Sequence, residues 1–520
     1  MFTAAPLLTK TRTAFVALFM ILVMVLPLTD PDYFWHLKAG EYMLAHRALP
    51  PGDIFSYTRA GQPWVLHEWL FEVLLFGAFA SWGAFGVRLL TALLAVGTLG
   101  VIYSLTRRLG RSALVASALA ICGGVVLAGG WTPRPHLVTY LLFAIYLSIL
   151  LADKYHGARR ALFALPLLML VWVNVHGGYV IGIALTVLFA CAEWLNYCFA
   201  AQRAPAQKQR LVWLSWMAVA TTLASLANPE FAGHWLYPFQ VLGMEANQHI
   251  LEWQSPNFHE FSHKLYLLLC AAFVLSTIYA TPRADITELL VPGFFLFNGF
   301  VSSRHVPLAV LAVMPFIALA LARGGGTACA AAWRRSWLAR TYASTVGGGK
   351  QLGQAEGVLN GIVLLAIAML LWAFQPAFRA NAARQGTHLP AAAADYVIAN
   401  RIQGNMFNVY GDGGYLIYRL GPQHKVFIDG RVDVYGDQFF EDYLQIYTGT
   451  ADWKRRFDRH AIDYAILGKD APIRQLLLAD GSFREVFGDK RHSVLLRTVP
   501  RAAILSSRAD KQEEGHGVRQ

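Results

Sequence analysis

Charge is scarce in this chain of 520 residues: 15% of the side chains are charged and 56% are hydrophobic. Mean hydropathy is +0.41, which sets the chain apart from ordinary soluble domains. Cysteine is scarce too. The five cysteines, Cys122, Cys191, Cys198, Cys270 and Cys329, include no C-x-x-C pair, which removes a disulfide framework and a zinc ribbon from consideration. No Asn-x-Ser/Thr sequon occurs, which favours a bacterial source. The chain also lacks a G-x-S-x-G elbow, a G-x-G-x-x-G turn and a Walker lysine, so the α/β-hydrolase, dinucleotide-binding and P-loop chemistries gain no support. Nothing repeats at a fixed period, which takes support from a transporter built of two related halves.

What the chain has instead is long apolar runs. A helix needs roughly 20 mostly apolar residues to cross a bilayer, and about eleven stretches approach that length: 13–28, 84–106, 113–130, 136–151, 161–175, 178–198, 211–227, 265–280, 286–301, 306–322 and 358–374. Run 13–28 reads as a span rather than a secretory leader, because no A-x-A-like site follows it and further spans do. The formal net charge of +12 belongs to short basic connectors and not to a nucleic-acid-binding face. Placing the N-terminus in the cytoplasm puts Arg107, Arg108, Lys154, Arg159, Arg160, Lys208, Arg210 and Arg323 on the inner side, as the positive-inside rule requires.

The pattern predicts a polytopic α-helical membrane domain over residues 1–374, with outward loops at 29–83 and 228–264 and a Gly- and Arg-rich cytoplasmic linker at 323–353. Within the first loop, HEWLFEVLLFGAF carries His67, Glu68 and Glu72 at helical spacing and reads as a helix lying at the interface. From 375 to 505 the composition becomes charged, with short β-type runs such as KVFIDG, YAIL and SVLLRTV, which predicts a small soluble α/β domain on the outer face. Residues 506–520 read as a disordered tail.

Few residues in the membrane region carry chemistry, and most fall on the outer side. Asp30 and Asp32 form a D-P-D pair at the end of the first span, able to aim both carboxylates at one cation or one hydroxyl. The same loop supplies His67 and Glu68, with His36, Trp35 and Trp64 as supporting groups. Arg134 and His136 in WTPRPH, and Arg304 and His305 in SSRHVP, interrupt apolar sequence, and a guanidinium fork suits phosphate oxygens. His176 in WVNVHGG sits at an outward helix junction. In YGDGGYLIYRL and VFIDGRVDVYGD, the glycines and aspartates, Asp412, Asp429 and Asp433 among them, read as turn formers.

Together LTDPDYFWHLKAG, LPPGDIFSYTRAGQPWVLHEWLFEVL, WVNVHGG, RHVPL and the terminal GGYLIYRL and VFIDGR runs resemble bacterial membrane glycosyltransferases of the GT-C superfamily. These include the lipid-linked-sugar mannosyltransferases, aminoarabinose transferases and oligosaccharyltransferase catalytic subunits. The resemblance implies a GT-C-like fold and transfer of a sugar from a polyprenyl phosphate or diphosphate carrier to a glycan, lipid or protein acceptor at the outer face of a bacterial inner membrane. It implies Asp30 or Asp32 as catalytic base or as ligand of a divalent cation, Mg or Mn, with no nucleic acid involved. Two other classes remain open on the residues alone: a non-catalytic assembly or sensing protein with an outer partner-binding domain, and a lipid or polysaccharide transporter.

Overall fold

The computed structural model describes residues 30–324, 388–450 and 452–498. The expected spans 13–28 and 358–374, linker residues 325–353 and the tail lie outside the described residues. Contacts divide the chain into two units. Among the described residues, one comprises 78–239 and 250–324; the other comprises 30–77, 240–249, 388–450 and 452–498.

The helices in chain order are α1 (Tyr33–His46), α2 (Trp69–Gly110), α3 (Ala113–Val126), α4 (His136–His156), α5 (Ala164–Val175), α6 (Tyr179–Phe199), α7 (Pro205–Ala224), α8 (Phe231–Leu242), α9 (Phe261–Ile278), α10 (Ile286–Val301) and α11 (Val306–Gly324). Five of the helical segments among the described residues are long and apolar enough to cross a membrane: Trp69–Gly110, His136–His156, Tyr179–Phe199, Phe261–Ile278 and Ser303–Arg323. Val115–Gly130 and Ile286–Val301 are apolar but shorter. The chain is an integral membrane protein, mostly helical. Within α2 the helix is broken at Trp82 and Gly83, whose dihedrals leave the helical region, and the apolar stretch expected from residue 84 onward begins beyond that break.

In the first unit α11 forms the core. Its stretch from Leu308 to Ile317 is buried almost without interruption, and α3, α4, α9 and α10 pack around it. Helix direction sorts polar residues to two ends. Arg134, His136, His176 and Arg304 lie where α4, α6 and α11 begin and α5 and α10 end. At the opposite end, buried Asp153, Glu193 and Glu288 are paired. Arg210 Nε donates to Asp153 Oδ2 at 2.7 Å and its Nη1 to Glu193 Oε2 at 2.6 Å. Lys154 pairs with Glu193 and, at 2.7 Å, with Asp285, while Arg323 and Tyr155 both donate to Glu288. Carboxylates are costly inside a membrane protein unless paired in this way.

In the second unit, helices α12 (Ala391–Ala399), α13 (Gly413–Leu420), α14 (Val432–Tyr435), α15 (Asp437–Thr448), α16 (Trp453–Arg459) and α17 (Pro472–Ala479) accompany strands β1 (Met406–Asn408), β2 (Tyr464–Gly468), β3 (Phe483–Gly488) and β4 (His492–Arg497). The sheet order is β1-β2-β4-β3. β1 runs parallel to β2, with Phe407 opposite Ala465; β4 runs antiparallel to β2, with Val494 opposite Ile466. β1 is wholly buried and β2 buried up to Gly468, so their apolar runs need no alternation.

The first loop is part of this second body. α1 packs on α13, and residues 55–58 run beside 426–427. Tyr57 N donates to Val426 O at 3.1 Å, Val426 N to Phe55 O at 3.1 Å and Thr58 Oγ1 to Phe427 O at 2.6 Å. Two glycines permit the approach. A Cβ on Gly414 would collide with the Pro31 carbonyl, and one on Gly430 with the Asp32 carboxylate. Gly414 requires glycine because the Pro31 backbone comes closer than any Cβ allows, whereas at Gly430 a Cβ would force the Asp32 carboxylate to shift.

Candidate active site

Local sequence builds the first cluster. Asp32 is the N-cap of α1, and its backbone N–H donates to Asp30 Oδ1 at 2.9 Å. From this start α1 places Tyr33, Phe34, Trp35 and His36 in buried positions. Four residues apart, Glu68 and Glu72 stack on one helical face, with Glu72 N donating to Glu68 O at 3.1 Å.

His36 meets that face. Its Nδ1 lies 3.0 Å from Glu72 Oε1 and 3.7 Å from Glu68 Oε2, and His36 and Glu72 are essentially sealed from solvent. On the far side of Glu68, His67 Nε2 lies 3.2 Å from Oε1, while His67 Nδ1 is 3.1 Å from the Val65 carbonyl. A carbonyl and a carboxylate only accept, so both ring nitrogens of His67 face acceptors and the doubly protonated ring satisfies the two together. The result is a chain Glu72–His36–Glu68–His67. Burial alone would push the His67 pKa down, but the charge and hydrogen bond of Glu68, with Asp433 beyond it, outweigh burial and raise it above the ordinary value.

Beside this chain lies an ion pair more deeply buried still. Arg431 donates to Asp429 through Nε at 2.7 Å and Nη2 at 2.6 Å, and its Nη2 lies 2.8 Å from Asp53 Oδ1. The guanidinium sits 4.5 Å from the Trp64 ring centroid, 5.0 Å from Phe55 and 5.8 Å from Trp35. Tyr435 OH donates to Asp429 Oδ2 at 2.7 Å. Burial would lift the Asp429 pKa, yet Arg431 holds it below the usual carboxylate range. Trp35 and Trp64, expected as supports of the acidic loop, flank this guanidinium.

A divalent cation is implied by the GT-C resemblance, and the donor chemistry here fits one. His36, Glu68 and Glu72 each offer a ligand atom within 4.8 Å of the others. Glu72 Oε2 is buried and carries no hydrogen bond, leaving a lone pair for an ion. An imidazole in the set favours Mn²⁺ or Zn²⁺ over Mg²⁺. Among the described residues, that set does not include Asp30 and Asp32.

The second cluster belongs to the first unit. Glu252, in the turn Leu251–Trp253, joins two arginines: Arg304 Nη1 donates to its Oε1 at 2.7 Å, and Arg134 Nη1 lies 3.6 Å from its Oε2. Arg304 also lies over Trp253, 4.9 Å from the ring centroid. Ser302 Oγ donates to Glu252 O at 3.0 Å and Ser303 N to Gln254 O at 2.8 Å, so the turn is tied to the segment that carries Arg304. Burial would raise the Glu252 pKa, but Arg304 and Arg134 outweigh it and hold the carboxylate ionised.

The neighbouring histidines hold backbone or pack. His136 Nε2 lies 2.8 Å from Gly130 O, which seats the turn before α4. Trp172 Nε1 donates to Thr139 Oγ1 at 2.8 Å, and that hydroxyl lies 2.7 Å from His176 Nδ1. His176 Nδ1 also receives Gly178 N at 3.1 Å, so it is an acceptor that pins the α5–α6 junction. His305 stacks edge-on against Trp253, with ring centroids 6.3 Å apart.

Contrary to expectation, the sequence does contain one hydrolase-type spacing. His259-Glu260-Phe261-Ser262-His263 has H-E-x-x-H spacing, which on a helix would place both imidazoles on one face. Here α9 begins only at Phe261, with Glu260 extended. His263 Nδ1 instead lies 2.9 Å from Asn257 O, and no zincin-type face forms. Glu72, Arg431 with Asp53, and Glu252 were also left out of the expected site, because their partners lie far away in sequence.

No protein-family profile and no curated protein matches the sequence. Among solved structures, the chain is similar to the oligosaccharyltransferase AglB of Archaeoglobus fulgidus in complex with an inhibitory peptide and a dolichol-phosphate. The TM-score is 0.52 at 12% identity, covering 88% of this chain and 69% of that one. The apo form of the A. fulgidus oligosaccharyltransferase gives TM-score 0.52 at 12% identity, covering 89% and 69%. The mycobacterial arabinofuranosyltransferase AftD gives TM-score 0.49 at 14% identity, covering 95% of this chain and 42% of that one. The likeness is one of fold: this chain folds similarly to the A. fulgidus oligosaccharyltransferase.

Proposed function

We propose that this chain is a glycosyltransferase that moves a sugar from a polyprenyl phosphate or diphosphate carrier to a glycan, lipid or protein acceptor at the outer face of a bacterial inner membrane. In this reading the chain crosses the membrane about eleven times, with its N-terminus cytoplasmic, and the second unit faces the periplasm. The observation that carries it is the Glu72–His36–Glu68–His67 chain within a GT-C-type fold.

Glu68 is the proposed base toward the acceptor hydroxyl. It is the more exposed of the two carboxylates in this cluster, at 12% of its side chain against 0% for Glu72, and an imidazole flanks it on each side. His67 is oriented by the Val65 carbonyl and fixes one oxygen of Glu68. His36 fixes the other and couples it to Glu72. Asp30 and Asp32 have a positioning role: the first receives the backbone N–H of the second, and Asp32 presses on Gly430. If the cluster binds Mn²⁺ or Zn²⁺ through His36, Glu68 and Glu72, the ion supplies positive charge for an oxyanion. Arg304 and Arg134, in the first unit, are a separate candidate for binding phosphate oxygens, to which a guanidinium fork is suited.

Replacing the base separates these roles. Glu68→Gln should slow transfer by about 10² to 10⁴-fold, whereas Asp32→Asn should leave a slower but measurable enzyme. Wild-type transfer by a folded Glu68→Gln protein would sink the assignment.

A further inference from the structure

Away from both clusters, the first unit holds a groove between α2 and α4 with a volume of about 470 Å³. Gly97, Gly100, Ser104 and Arg108 line it from α2, and Ile145 and Ile149 from α4. Their spacing of three and four residues puts each set on one helical face. The glycines keep the wall open, and a Cβ on Gly100 would meet nothing within 4 Å. At Gly97 the two helices close in, because a Cβ there would come within 3.3 Å of Leu141 Cδ1. From Gly97 to Arg108 α2 rises roughly 16 Å, about half of the ~30 Å hydrocarbon core of a bilayer. The groove matches the depth of one leaflet, closed at its Gly97 end and finished by a guanidinium at the other.

Arg108 is exposed, and among the described residues its hydrogen-bond partner is the neutral Ser104 hydroxyl, which Nη2 reaches at 3.0 Å. Lys154, Arg210 and Arg323 at the same end are instead each paired with carboxylates. A largely apolar groove one leaflet deep, with a cation at its mouth that no carboxylate pairs, carries both recognition elements of an anionic phospholipid: a channel for an acyl chain and a donor fork for the phosphate. We propose that the groove binds one such lipid, with phosphate oxygens on Arg108 and an acyl chain lying along Gly100 between the two helices. A free phosphate ion would use Arg108 alone and leave the groove unfilled, so the length of the groove assigns the site to the lipid.

The test titrates the full-length protein in detergent with phosphatidylglycerol, phosphatidylcholine and inorganic phosphate, and follows lipid adducts by native mass spectrometry. Wild type should bind one phosphatidylglycerol more tightly than phosphatidylcholine, and inorganic phosphate at equal concentration should not displace it. Arg108→Gln should weaken that binding about fivefold, the worth of one basic residue beside an anionic lipid. Gly100→Leu, which the open space beside Gly100 accommodates without disturbing the fold, should weaken it at least as much by filling the groove. Gly293→Leu adds the same side chain to α10, also into open space, and should leave binding unchanged. Wild-type affinity in a folded Arg108→Gln or Gly100→Leu protein overturns the proposal. Equal weakening by Gly293→Leu overturns it in favour of a general lipid shell, and displacement of the lipid by inorganic phosphate overturns it in favour of a simple anion site.

Discussion

Arg431→Met isolates the strongest structural commitment of the second unit. The guanidinium is sealed from solvent, as are its partners Asp53 and Asp429. Methionine keeps much of the volume between Trp35, Phe55 and Trp64 but strands two carboxylates. Asp53 retains the Ser56 hydroxyl at 2.5 Å and the backbone N–H groups of Phe55 and Ser56; Asp429 retains Tyr435. Those bonds soften the loss without supplying charge. Breaking a buried pair by removing one partner costs about 3–5 kcal/mol. In a unit of roughly 200 residues each kcal/mol is worth about 2–4 °C, so the melting temperature should fall by about 6–20 °C. The assay is intrinsic-fluorescence melting of the purified protein in detergent. The triple variant Asp53→Asn, Asp429→Asn, Arg431→Met removes the charges together and should melt above the single variant. A single-variant shift below about 2 °C, or a triple variant that melts lower than the single, would refute the electrostatic account.

Other consequences follow from the same cluster. The raised His67 pKa means that the folded state binds the proton more tightly than the unfolded one, so His67 contributes stability that is complete below about 6.5, the ordinary value. That stability is lost as pH rises through the folded-state pKa, and His67→Gln should flatten this limb of the melting-temperature profile; an unchanged profile in the variant would contradict it. For the cation, Mn²⁺ or Zn²⁺ should raise the melting temperature of the wild type, and Glu72→Gln should abolish the increase. An equal rise in the variant would exclude His36, Glu68 and Glu72 as the ligands.

The membrane architecture was legible because crossing a bilayer imposes a length and a composition that survive in one dimension. The grouping of His36, His67 and Glu68 was partly legible for a related reason: they are polar groups that an apolar environment retains only with partners. What the one-dimensional pattern lacked was the partners. GDGG and IDGR look like turns, yet Gly414 and Gly430 are the places where Pro31 and Asp32 pack, nearly 400 residues away in sequence. Arg431, in the VFIDGR run, had no visible partner until Asp53 was placed beside it. Glu252 carried no signal, because a lone acid in an aromatic loop gains meaning only from Arg134 and Arg304. The H-E-x-x-H spacing from His259 to His263 shows the converse failure, a motif whose first residues precede the helix it needs.

The central claim is transfer of a sugar from a polyprenyl carrier by the Glu68 cluster. Purified protein reconstituted in vesicles, supplied with radiolabelled polyprenyl-linked sugars and envelope acceptors, tests it most directly. The account predicts label moving into acceptor with matching release of the polyprenyl phosphate, and loss of both in a folded Glu68→Gln protein. Label that stays on the carrier in the wild type across the donors offered, or transfer undiminished by Glu68→Gln, would contradict it.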